Sequence, residues 1–289
     1  MQADTGRPPR RGATATAAAL VVALQATGAP AETSACADRV AEDWLEETFG
    51  APPPEAGTLT GRQRLETPVW LRGAEISQAK YAVTVRRGED GEHVALSGLR
   101  IGPLASRDAY GAGIRVEAPD DDADWGDSVV RLFLHDIVIA PEWPDWRSYG
   151  ETNYDAVDFA APGELYGHAV RISDWNADAA LDIKADRSQF VGLEVSGPGN
   201  RPIRYWRSGP HDLVASSLSR PDDGPLVWFA DCDAVTLRVH DTEFNGAPRL
   251  SPDRVSCERG EDPEIVYLSE DPRRTGEIHP MLRGCPSGG

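Results

Sequence analysis

The chain has 289 residues, 40% of them hydrophobic, and a formal net charge of −18. That length supports one domain with a sizeable core. So acidic a surface excludes a nucleic-acid binder and repels anionic membranes, and any site for an acidic ligand must be a local basic island. Lysine occurs only as Lys80 and Lys184, against many arginines.

In chain order, the first segment is a targeting signal. Arg7, Arg10 and Arg11 form a basic start, and Ala13 to Ala26 is apolar and alanine-rich. Ala29-Pro30-Ala31 offers small residues for cleavage before Glu32. That order reads as a signal peptide over residues 1–31, too short for a membrane span, and it sends the protein to a secreted or periplasmic location. No other stretch is apolar enough to insert into a bilayer.

Residues 32–57 are expected to form a helix and a linker. Thr33 or Ser34 caps the start, and Val40, Trp44, Leu45 and Phe49 give an apolar stripe at helical spacing. Gly50 and Pro52-Pro53-Pro54 stop it. An open solenoid end exposes apolar core and strand edges, so the helix is expected to cap the N-terminal end. Packing along a sheet face is the alternative.

Residues 58–250 carry a repeated strand-turn-strand pattern. Strands are expected at Val69 to Leu71, Tyr81 to Val85 and His93 to Leu96. From there, alternating apolar residues bend around a small or polar one, as in Leu96-Ser97-Gly98-Leu99 and Leu134-His135-Asp136-Ile137. Leu193, Ser217 and Thr242 recur 24 and 25 residues apart, as solenoid rungs do. Leu99, Ile137 and Trp175 are spaced more widely, 38 residues each, which implies loop excursions. No helical pattern intervenes, so the chain reads as an all-β, single-domain right-handed parallel β-helix. Residues 251–289, rich in Pro, Gly, Arg and Glu, read as a C-terminal cap or tail with a strand at Ile265 to Leu268.

Stacking at about 4.8 Å turns positions one rung apart into neighbours. On that basis Tyr166, Lys184, Arg207 and Asp231 fall in one column, with Arg204, Tyr205, Trp206 and His211 beside Arg207. The loop aromatics Trp143, Trp146, Tyr149 and Tyr154 are expected to wall a groove over the same face, where flat rings suit sugars. Asp231 and Asp233 flank Cys232 and form a carboxylate pair for acid–base glycoside hydrolysis, or a polar turn. The run Asp120 to Asp124 is a candidate Ca²⁺ loop or a solvated acidic loop. No CxxC pair or His cluster suggests zinc. Cys36, Cys232, Cys257 and Cys285 allow three full pairings in an exported chain. Cys257–Cys285 is the expected bridge, and Cys232–Cys257, one rung apart, the alternative.

The run Ile183-Lys184-Ala185-Asp186-Arg187-Ser188-Gln189-Phe190, followed by Trp206-Arg207-Ser208-Gly209-Pro210-His211, resembles the active-site rungs of polysaccharide lyase family 6. That family includes alginate lyases and chondroitinase B. The resemblance implies a pectin-lyase-like β-helix that cleaves a uronic-acid glycan by β-elimination. Lys184 would then be the base and Arg207 the acid or leaving-group stabiliser. Elimination also needs cations to neutralise the uronate, a task open to Arg204. The competing expectation is a non-catalytic β-helix that binds glycan or decorates the envelope, since fold alone does not choose. Convergence of Lys184, Arg204 and Arg207 in an open groove would favour the enzyme. Neutralisation by carboxylates would favour the binder.

Overall fold

The computed structural model describes residues 31–104, 109–119, 129–140, 142–143 and 145–284. Residues 1–30 of the expected signal segment, the Asp120 to Asp124 run and Cys285 lie outside these residues. The chain opens with helix α1 (Ala31–Phe49). There follow β1 (Gly57–Thr60), β2 (Gln63–Glu66), β3 (Val69–Arg72), β4 (Ala74–Ser77), β5 (Tyr81–Arg86), β6 (His93–Ile101) and β7 (Tyr110–Val116). The middle rungs hold β8 (Val130–Ile139), β9 (Asn153–Phe159), β10 (Gly163–Ile172), β11 (Ala179–Ile183), β12 (Arg187–Ser196) and β13 (Arg201–Tyr205). The last hold β14 (His211–Val214), β15 (Ser217–Ser219), β16 (Val227–Phe229), β17 (Thr236–His240), β18 (Glu243–Phe244), β19 (Val255–Cys257) and β20 (Glu264–Tyr267). A short helix α2 (Pro272–Thr275) and a 3₁₀ turn (Pro280–Leu282) end the described chain.

Every named strand pairing is parallel, and the strands divide between two sheets. Sheet A runs β1-β4-β6-β8-β10-β12-β14-β17-β20, and sheet B runs β19-β16-β13-β11-β9-β7-β5-β2. The fold is therefore the expected parallel β-helix. The stacking continues past residue 250, because β19 pairs with β16 and β20 with β17.

One corner sets the rung. In sheet A the strand bends at a residue with positive φ, and these stack as Gly98, Asp136, Ala169, Gly192, Ala215 and Asp241. Glycine takes that conformation without steric cost, and Asp tolerates it. In β6, β8, β10 and β12 the bend lies inside one long strand. Later it separates β14 from β15 and β17 from β18. Leu99, Ile137, Val170 and Leu193 follow the corner and are register partners. So Ile137 stacks on Val170 rather than on the expected Trp175. Leu193 is followed one rung on by Ser216 and then Thr242, not Ser217. The two hydroxyls suit the interior because Ser216 Oγ accepts from Leu193 N and Thr242 Oγ1 accepts from Ser216 N. Phe190 stacks on Leu213 and then Val239, not on the expected Val235. Below Phe190 the register partner is Gly167, where a Cβ would meet the Phe190 ring at 2.4 Å. That close approach is why the position is glycine.

Helix α1 corrects another expectation. Ala41 and Leu45 pack with Ala95, Phe133, Tyr166, Val191 and Val214, side chains on the outer face of sheet A. Ile278, Met281 and Leu282 join the same cluster. The helix covers a face of several rungs instead of the end of the stack. The outward row Ala95, Phe133, Tyr166 is apolar, and burying such a row contributes roughly 1.5–3 kcal/mol per large side chain.

The Cys257–Cys285 expectation is also overturned. Cys232, three residues past the end of β16, bonds to Cys257 at the end of β19 on the next rung. Cys257 is the register partner of Phe229, so it is the turn after β16 that brings the sulfurs together.

Candidate functional site

The polar centre of the molecule is on sheet B. In β9, Tyr154, Ala156, Val157 and Phe159 all belong to the core. The inward alternation thus slips between residues 156 and 157, and Asp155 and Asp158 both face outward. In β11 the same slip falls between Ala180 and Leu181, and Asp178 and Asp182 face outward. Arg115, Asp158, Asp182, Arg204 and Trp228 are successive register partners across β7, β9, β11, β13 and β16. Opposite charges thus sit one rung apart at Arg115–Asp158 and Asp182–Arg204, with two like charges between them at Asp158–Asp182.

The contacts form a connected network. Lys184 Nζ lies 2.7 Å from Asp182 Oδ2 and 3.6 Å from Asp158 Oδ1. Arg204 pairs with Asp178 and, through Nε at 3.3 Å, with Asp182 Oδ1. Arg115 reaches Asp158 Oδ2 at 3.4 Å. Trp206 Nε1 donates to Asp182 Oδ1 at 2.5 Å. Asp155 Oδ1 accepts from Ala179 N. All four carboxylates and Arg204 are buried. Above them, the Arg204 guanidinium lies 5.3–5.4 Å from the ring centres of Tyr149, Trp206 and Trp228. Such cation–π contacts strengthen as the cation loses water.

Burial, then the charges of Asp182, Asp158 and Asp178, push the Asp155 carboxyl well above its ordinary range. Burial also raises Asp158 against the pull of Lys184, and Asp178 against that of Arg204. Burial disfavours the Lys184 ammonium, but Asp182 and Asp158 outweigh it and its pKa rises. Asp155, Asp158 and Asp182 each place one oxygen within 4.8 Å of the others, a grouping able to hold a cation such as Ca²⁺. Lys184 and Arg204 already supply positive charge there.

The structure redistributes the expected site residues. Lys184 and Arg204 do come together, but as ammonium and guanidinium neutralised by acids, so Lys184 has no lone pair to serve as a base. Arg207 lies past the end of β13, exposed and outside the network. His211 is buried inside the solenoid, with Nδ1 on Ser188 Oγ and Nε2 on the Arg207 carbonyl. Burial lowers its pKa to about 4. Tyr205 is also interior, stacked between His211 and Phe229. Tyr166 belongs to sheet A, against Phe133 and His279, so the expected column does not exist. Asp231 pairs with Arg259 at 3.4 Å. Asp233 accepts from the backbone N–H groups of Glu261 and Asp262, which hold its pKa down. That pair is a turn tied to the next rung.

The loop aromatics divide. Trp143 is in the core, against Tyr154 and Trp175. Trp146 is half-buried and meets Tyr149 edge-on at 5.0 Å. Tyr149 is 49% exposed, and it brings the loop across to Arg204 and so beside half-buried Trp206. Sequence reasoning missed Asp155, Asp158 and Asp178. The available signal was spacing: Asp158 and Asp182 are 24 residues apart, one rung, and Asp155 and Asp178 are 23 apart, one residue short of it.

No protein family, curated protein or solved structure matches this chain. The resemblance to polysaccharide lyase family 6 gains no support from these comparisons. Among the described residues, no helix is long and apolar enough to cross a membrane.

Proposed function

We propose that the protein binds a polysaccharide along the outer face of sheet B, with sugar rings stacked on Trp146, Tyr149 and Trp206. The observation that carries this reading is the reach of Tyr149 over Arg204, which joins loop and sheet aromatics into one surface. Aromatic faces take the apolar faces of sugars, and flanking charges take the hydroxyls. The ion pairing of Lys184 and Arg204 leaves little free positive charge for uronates, and the net charge of −18 repels them. The ligand is therefore a neutral glycan, and the role is recognition rather than β-elimination. The Cys232–Cys257 bond supports an exported protein. Titration of neutral and uronate polymers by calorimetry tests this. The Trp146→Ala/Tyr149→Ala double variant should lose at least about tenfold in affinity for a neutral polymer with its fold intact. Equal binding by the variant, or no binding by the wild type, ends this reading.

One observation favours a second reading. Burial and the neighbouring acids raise the Asp155 carboxyl pKa well above its ordinary range, in the direction a general acid for glycoside hydrolysis requires, with Asp158 and Asp182 close by. Release of reducing ends by the wild type but not by Asp155→Asn would establish it. Release of unsaturated ends would restore elimination.

A further inference from the structure

A second polar cluster lies on the opposite sheet, beneath α1. His135 in β8 and His168 in β10 are register partners, so their rings stand one above the other on the outer face of sheet A. Their Nδ1 atoms lie 3.2 Å apart. Asp38 of α1 brings Oδ1 to 3.7 Å from His168 Nδ1. One donor atom from each residue falls within 4.8 Å of the other two. Both imidazoles are more than nine-tenths buried, while Asp38 keeps access to solvent. Glu42, one helical turn beyond Asp38, lines a cleft of about 430 Å³ together with His135 and Asp136.

We propose that His135, His168 and Asp38 bind a divalent transition-metal ion, Zn²⁺ by preference, that fastens α1 to the solenoid. Tetrahedral zinc at 2.0–2.1 Å from its donors holds neighbouring donors about 3.3–3.4 Å apart. The distances of 3.2 and 3.7 Å bracket that value. Two imidazoles and one carboxylate suit zinc and leave a fourth position open. Without an ion, one imidazole donates Nδ1–H to the other. On binding, that proton moves to Nε2 of the same ring, and both Nδ1 lone pairs become donors. The charged groups facing the histidines are chiefly Asp38, Glu42 and Asp136, with the Arg273 cation also acting on His168. Arg273 is itself paired with Asp271 at 2.8 Å. In the sheet B cluster, by contrast, Lys184 and Arg204 already occupy the space between the acids. The ligands come from three distant segments, so an ion bound only by the folded state would stabilise the helix–sheet contact.

The full chain, freed of metal with a chelator, is titrated with ZnCl₂ by calorimetry and with CoCl₂ by visible absorbance. The expected result is one ion per chain, a tetrahedral Co²⁺ spectrum and a raised Tm. His168→Ala should lower Zn²⁺ affinity more than about tenfold. Asp38→Asn, at a partly exposed helix position that preserves the fold, should do the same. Asp155→Asn should leave the affinity unchanged, which separates this ion from the sheet B acids. Absence of both the heat and the Co²⁺ spectrum in the wild type overturns the proposal. So does binding that Asp155→Asn removes and Asp38→Asn spares.

Discussion

Arg204→Met tests whether the sheet B network is a single electrostatic unit. Met keeps much of the side-chain volume and removes the guanidinium. Asp182 would retain Lys184 at 2.7 Å and the Trp206 indole N–H. Asp178, which is fully buried, would retain only the Asn200 amide at 2.8 Å among its named side-chain partners. Breaking a buried pair by removing one member costs about 3–5 kcal/mol, and the remaining amide argues for about 3. At about 2–4 °C per kcal/mol, Tm should fall by about 6–12 °C. Thermal unfolding at pH 7, followed by circular dichroism, measures this. Adding Asp178→Asn removes the stranded charge, so the double variant should recover most of the loss. A single variant within about 1 kcal/mol of wild type, or a double variant no better than the single, would refute the reasoning.

Asp155 predicts an unusual pH profile. Folding raises its pKa, so its contribution is complete below the ordinary carboxylate range and is lost as pH rises through the raised value. Tm should therefore increase as pH falls from 8 toward that range. At still lower pH it should decline, as Glu117 and Asp271, whose pKa values are lowered in the fold, become protonated. Asp155→Asn should flatten the upper limb and raise Tm at pH 8, and an unchanged slope would contradict the assignment. Trp143→Ala should cost about 3–5 kcal/mol in a denaturant titration, as a core truncation does. A stable Trp143→Ala protein with weakened glycan binding would return this ring to the surface. Non-reducing peptide mapping should join Cys232 to Cys257, and Cys257→Ser should lose up to about 3.5 kcal/mol for the 25-residue separation. A Cys257–Cys285 peptide would contradict the structure.

The fold was legible because corners such as Gly98, Asp136 and Gly192 use residues that favour positive φ. Ala169 and Ala215 occupy the same corner with φ of 53° and 47°, and alanine gives no signal of that. Asp174 also has positive φ, at the next corner of its own rung, and its polar signature drew the repeat to Trp175. The acidic cluster was hidden for a different reason. Simple alternation sends Asp155 and Asp158 to opposite faces, and only the slip at Ala156-Val157 unites them. Lys184 and Arg204 were visible as cations, but their state depends on those acids.

The strap formed by α1 and residues 278–282 bears on how the molecule is completed. A stack of rungs is nearly one-dimensional, each rung resting on its neighbours. The strap breaks that locality, since one cluster contains side chains from β6, β8, β10, β12 and β14. It also sets an order in time. Residues 278–282 emerge only after all the strands of the described chain. During synthesis α1 can dock on the strands it covers, but its cluster is complete only when the last segment arrives. The rungs can assemble one by one, but this face closes once, at the end.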